Sequence, residues 1–180
     1  MVQLWKLGVI RNSWFLLLTL FAVQPLQADN RAAEIKAAFV YNFAKFVEWP
    51  EGSFDGEQAD LTLCSLSGYR INASLELIEG RSAQGRTISL KKIHSASQVE
   101  QCHILYLPEG NSSLKTEIIQ LSTKIPVLTV GDYRTFIDDN GMVGLFIESN
   151  LVRFRINLHS AQASGLKVSA RILNLAQEVR

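Results

Sequence analysis

The chain has 180 residues, with 18 Lys and Arg against 17 Asp and Glu, and 47% of its residues are hydrophobic. A formal charge of +1 excludes bulk electrostatic attraction to nucleic acid or to an acidic surface. The length suits one domain once a leader is set aside.

Residues 1–28 read as that leader. Lys6 and Arg11 are its only charges, an apolar run WFLLLTLFAV occupies 14–23, and QPLQA follows at 24–28. These are the three regions of a secretory signal peptide. The apolar run is too short to cross a hydrocarbon layer of about 30 Å as a helix. Cleavage is expected after Ala28, which leaves 29–180 as the mature domain, outside the cytoplasm; an uncleaved anchor is the alternative. No second long apolar run exists, so the mature chain is expected to be soluble.

Residues 30–47 carry helical periodicity, with Ile35, Phe39, Phe43, Phe46 and Val47 near one face and Glu34, Lys36 and Lys45 off it. Trp49-Pro50 ends the helix, because the residue before proline avoids helical geometry. A polar loop follows at 51–60. Residues 61–66 (LTLCSL) alternate as a strand, and 71–78 form a short helix with Leu75 and Ile78 inward. A turn at 80–85 leads into a strand at 87–93. Residues 94–101 are polar, loop-like or briefly helical, and 102–107 (CHILYL) form a strand closed by Pro108.

An amphipathic helix is predicted at 112–122, with Leu114, Ile118 and Leu121 as its stripe and Asn111 or Ser112 as N-cap. Residues 125–130 (IPVLTV) read as an apolar strand with its proline at the start. Residues 141–147 and 151–158 read as two strands of a hairpin turning at 148–150. Ser164-Gly165 breaks the chain before a final helix at 168–179, with Ile172, Leu173 and Ala176 inward. This order predicts an α/β fold: a single compact domain, a mixed sheet with helices packed on its faces, and a late antiparallel hairpin.

Two cysteines, Cys64 and Cys102, lie in strand-like segments. In an exported chain they are expected to pair as one disulfide; two buried thiols are the alternative. No C-x-x-C pair offers thiol-redox chemistry.

Catalytic motifs are missing. GRSAQGRT at 80–87 nearly matches a phosphate-binding loop, but it runs from helix to strand, and Arg86 stands where lysine is required. His94, His103 and His159 have no metal spacing, and there is no G-x-S-x-G elbow. Asp138-Asp139 before Asn140-Gly141 reads as a solvated turn. No cofactor or metal is expected. A triad using His103 or His159 is the only catalytic alternative.

Binding residues can be nominated. Asn42 and Trp49 flank the aromatic stripe of the first helix, which is itself expected to be core, with Trp49 its most exposed member. Arg153, Arg155 and Asn157 alternate with Val152, Phe154, Ile156 and Leu158, which lines the polar set along one face. That row could grip an acidic partner, or Arg153 could pair with Asp132 or Glu148. Arg171 opposes a helix dipole, which hints at a carboxylate partner. Gly131 and Asp132 stand at a strand end, where open α/β sheets bind ligands.

The segments IKAAFVYNFAKFVEWP (35–50), 80–88, CHILYL (102–107), PVLTVGD (126–132), 141–143, VRFRINL (152–158) and SARILNLA (169–176), taken in order, resemble the YfiR family of periplasmic proteins. The resemblance spans essentially the whole mature chain. It implies an exported, compact α/β regulator that tends to form a homodimer. In that family the namesake binds the periplasmic region of an inner-membrane diguanylate cyclase and represses it, and an outer-membrane lipoprotein sequesters the repressor; cyclic-di-GMP output then drives biofilm formation. Cys64 and Cys102 match a disulfide of the family. A second cysteine pair found in some members is missing near 141–150, and Arg155 stands where an acidic residue is expected.

Overall fold

The computed structural model describes residues 25–67, 71–110 and 113–180, with side chains from Asn30 onward. The leader at 1–24 and the two N-cap candidates Asn111 and Ser112 lie outside the described residues, and the expected cleavage point falls in the first turn of the first helix.

In chain order the elements are α1 (Pro25–Phe46), β1 (Val47–Glu48), β2 (Leu61–Leu66), α2 (Ile71–Leu75), β3 (Ser82–Ala83), β4 (Arg86–Ile93), β5 (Ile104–Leu107), α3 (Ser113–Ser122), β6 (Leu128–Gly131), β7 (Val143–Glu148), β8 (Leu151–Ile156), α4 (Leu158–Ala163), β9 (Lys167–Val168), α5 (Ala170–Leu173) and β10 (Glu178–Val179). Single 3-10 segments follow α2, β4 and β6. Eight strands form one sheet in the order β10-β8-β7-β6-β5-β2-β4-β3, and β1 pairs with β9 in a separate ribbon. The run β7-β6-β5-β2-β4 is parallel, whereas β7–β8 and β4–β3 are antiparallel. The mixed sheet and late hairpin are those expected. Ser149 and Asn150, both left-handed (φ 50° and 62°), make the hairpin turn whose twist matches its strands.

Every residue of β5 and β6 is buried, because helices cover both faces of the parallel strands. One core layer packs Val40 and Phe43 of α1 against Leu63, Ile104, Tyr106, Val130 and Phe154. The other packs Ile118 of α3 and Phe136 against Cys64, Leu66, Leu105 and Leu107.

Four local expectations are corrected. The buried stripe of α1 is Ala37, Val40, Phe43 and Ala44, with Ile35 exposed and Phe39 half-buried. Alanines at the centre let the helix sit close to the sheet, so bulky Phe39 packs from the margin onto Phe43 and Phe154. On α3 the inward positions are Lys115, Ile118, Ile119 and Ser122, not Leu121. Lys115 Nζ donates to the carbonyls of Pro108 and Gly110, which turns that face inward.

The strand read through Leu158 stops at Ile156. Asn157 Oδ1 accepts the Ser160 N–H at 2.9 Å and starts α4. The final helix shrinks to one turn. Val168 pairs with Val47, Ser169 caps α5, and Glu178 is drawn into the sheet beside Arg155.

Candidate functional site

The C-terminal ends of β2, β5 and β6 carry a line of polar side chains. Ser65 pairs in register with Tyr106, and Tyr106 with Val130. Period-two alternation places Ser65 on the same face as Leu63, the face that α1 and α2 cover. Lys36 of α1 reaches down to this end and donates to Asp132 Oδ1. The hydroxyls of Tyr106 and Ser65 are buried; Tyr106 faces the Asp132 carboxylate, and Ser65 Oγ has no hydrogen-bond partner among the described residues. Burial, and then the Asp132 carboxylate, push the Tyr106 phenol far above its usual ionisation. A cleft of about 510 Å³ opens here between α1 and α2, with Lys36, Ser74 and Asp132 inside and Leu77 and Ile147 on its rim.

The two ligand candidates at this strand end separate. Asp132 lines the cleft, but Gly131 faces the other layer. A Cβ on Gly131 would stand 2.1 Å from the Phe136 ring, and one on Gly141 would stand 2.3 Å from it. Gly131 is therefore a packing glycine that lets Phe136 close over the sheet.

A second constellation sits at the opposite end of the strands. His103 stacks on Phe54 at 4.2 Å and 10°, and Arg86 covers the Phe54 ring at 3.8 Å. Trp49 meets His103 edge-on and donates from Nε1 to the His103 carbonyl at 3.2 Å. Arg86 also donates to the carbonyls of Gly56, Glu57 and Ala59. The phosphate-loop look-alike is thus a turn that aims Arg86 at the 51–60 loop. Trp49 is half-buried and committed to this stack. Both ring nitrogens of His103 face backbone groups, Thr62 N and Ser53 O, which leaves neither for substrate chemistry.

The arginine row is corrected as well. Arg155 is only 6% exposed. It donates from Nε to Glu178 at 2.8 Å and from Nη1 to the Arg134 carbonyl at 3.0 Å, and it pairs with Asp138. The edge strand β10 covers what alternation alone leaves open to solvent. Asp138 is exposed at the end of a 3-10 turn and also anchors this network, and Arg180 completes it. Glu148 bonds Arg134 and Gln177, and Asp132 bonds Lys36; Arg153 stays exposed and acts on Glu148 only as a nearby charge. Asn157 serves as a helix cap, and Asn42 is half-buried on α1. Arg171 is exposed and lies over the Phe46 ring at 5.3 Å instead of on a carboxylate.

Cys64 and Cys102 form a disulfide with Cα atoms 5.7 Å apart, joining β2 to the entry of β5.

Residues 33–177 match the family model described as YfiR/HmsC-like. The chain belongs to that family. Membership points to a periplasmic regulator. No curated protein sequence matches the chain. Among solved structures, a conserved domain protein from Vibrio cholerae O1 biovar El Tor is similar at 12% identity and TM-score 0.50, over 67% of this chain and 55% of that one. An ABC domain in complex with L-Trp from Streptococcus pneumonia is similar at 14% identity and TM-score 0.44, over 66% and 55%. The chain thus spans little more than half the length of these structures, and the likeness concerns fold alone. Among the described residues of this YfiR/HmsC-like chain, no helix is long and apolar enough to cross a membrane.

Sequence reasoning did not nominate Lys36, Ser65 or Tyr106. The only signal was a polar group inside an otherwise apolar run, as in LTLCSL and ILYL. Nothing local ties Lys36 to Asp132, 96 positions away.

Proposed function

We propose that this chain is an exported periplasmic repressor. It binds the periplasmic region of an inner-membrane diguanylate cyclase and stabilises that enzyme's inactive conformation. Family membership over 33–177 carries the reading. The commitment of both His103 ring nitrogens to backbone groups supports a binding role over a hydrolase that uses His103. Repression of this kind needs differential affinity for two states of the sensor, since equal affinity shifts nothing. Arg153 and Arg171 are the exposed candidates for contact, and Ile147 and Leu151 add apolar surface at the hairpin tip. A homodimer and release by an outer-membrane lipoprotein complete the proposal. The test adds purified protein to membranes bearing the cognate cyclase and follows cyclic-di-GMP formation. A saturable fall is expected, and an unchanged rate ends this reading.

A second reading is a small-ligand module built on the cleft at Asp132. The polar groups that line the cleft beside apolar ones, Lys36, Ser74 and Asp132 next to Ile71 and Ile147, favour it. A metabolite screen by thermal shift tests it. No stabilisation by any compound removes it.

A further inference from the structure

Lys36, Lys92, Arg134, Arg155 and Arg180 form ion pairs with carboxylates. Three others rest on aromatic rings along the outer side of α1. Arg81 lies over the Tyr41 ring at 3.9 Å. Lys45 reaches both Tyr41, at 5.3 Å, and Phe46, at 5.7 Å. Arg171 lies over Phe46 at 5.3 Å. Lys45 touches both rings, so the five side chains form one continuous ladder. Among the described residues, none of its three cations makes an ion pair, and all three are exposed. Tyr41 is fixed from its far end, where its hydroxyl donates to the Ser82 carbonyl at 2.9 Å.

This is an unbalanced charge on a chain whose total is near neutral. Ring faces hold long cationic side chains in place without neutralising them, so less rotamer freedom is lost when an anion arrives. A guanidinium stacked on a ring keeps its N–H fork free to grip a carboxylate through two parallel bonds. We infer that the ladder Arg81–Tyr41–Lys45–Phe46–Arg171 is a docking strip for an acidic segment of a partner protein. A protein is favoured over an anionic membrane for two reasons. Three cations fall short of the cluster of about 4–8 that reads lipid headgroups. The two rings are half-buried under the cations, and so present no apolar wedge for a bilayer. The assignment deepens the regulator reading and rests on it for a protein partner.

The test uses fluorescently labelled hexaglutamate as the acidic probe, hexalysine as its control, and vesicles of anionic phospholipid as the competing surface. Wild type is expected to bind hexaglutamate, more weakly as salt rises, and not hexalysine. The triple variant Lys45→Gln, Arg81→Gln, Arg171→Gln is expected to bind at least tenfold more weakly with an unchanged urea midpoint. Lys124→Gln, outside the ladder, is expected to bind as wild type does. Equal binding by wild type and the triple variant overturns the proposal. So does retention by anionic vesicles with no binding of hexaglutamate. Single variants at each cation keep the test decisive if the triple variant fails to fold. The cyclase assay separates the two readings: a triple variant that represses as well as wild type sinks the strip alone. Ladder-dependent hexaglutamate binding by a protein that represses nothing sinks the repressor and leaves the strip standing.

Discussion

The Thr62 backbone N–H donates to His103 Nδ1 at 2.9 Å, which places the ring proton on Nε2, where Ser53 O accepts it at 2.9 Å. The imidazole is therefore neutral in the fold, and protonating it would set two donors against each other at Nδ1. Burial is the main cause that lowers its pKa below 6.5; Arg86 adds to it, and the Ser53 bond and Asp55 oppose it. The unfolded chain then takes up a proton before the folded one does. The stability from a neutral His103 is complete above about pH 6.5 and declines as pH falls through that value toward the lower folded pKa. Urea midpoints measured from pH 8 to pH 5 should show this decline in wild type and not in His103→Gln. A flat wild-type profile over that window would refute the lowered pKa of the buried ring.

Arg155 and Arg153 stand two residues apart on β8 with opposite fates. Arg155→Ala removes a buried guanidinium that holds Glu178 and the Arg134 carbonyl, and should cost roughly 2 kcal/mol. Arg153→Ala, at the surface, should stay within about 0.5 kcal/mol of wild type. Arg155→Lys should not restore the loss, because an ammonium cannot reproduce the fork. Arg155 first, then Arg180, hold the Glu178 carboxyl down at about 2. Its contribution is present above the unfolded value near 4.3 and fades as pH drops toward 2, a window separate from that of His103. Chemical denaturation of the three variants checks the ranking, and equal losses at 153 and 155 would contradict the buried network.

Phe136 lies between two glycines. A methyl group at Gly131 or at Gly141 meets its ring at 2.1 or 2.3 Å, so either alanine substitution should destabilise by about 1–3 kcal/mol through overpacking. Thermal unfolding of Gly131→Ala and Gly141→Ala reads this directly, and wild-type midpoints in both would show that the ring moves freely.

The Cys64–Cys102 bond closes a loop with a sequence separation of 38. Cross-linking a loop of this size stabilises by about 2–4 kcal/mol, chiefly by restricting the unfolded chain. The double variant Cys64→Ala, Cys102→Ala should lose that amount. Protein from the periplasm should show no alkylatable thiol until it is reduced, and two labelled cysteines without reductant would disprove the pairing.

What the sequence determined by itself is local and periodic. Alternation in LTLCSL and the largely apolar runs at 104–107 and 127–130 specify buried strands, since side chains two apart share a face and helices cover both faces of a parallel sheet. The hairpin turning at 148–150 follows from the same alternation, and the helix through Phe43 from the 3.6-residue period. Periodicity names a face but not what will cover it, and tertiary structure supplied that answer. Alternation puts Arg155 opposite Phe154, but only β10, arriving from 23 positions away, buries it against Glu178. The segment at 168–179 has helical spacing, yet pairing with Val47 at one end and Arg155 at the other converts its ends to strand. Lys36 joins Asp132, and His103 joins Thr62 and Ser53, across 41 to 96 positions. These partnerships depend on which strand ends meet in space, and the free energy of burying a charge or a ring is decided there rather than by sequence spacing.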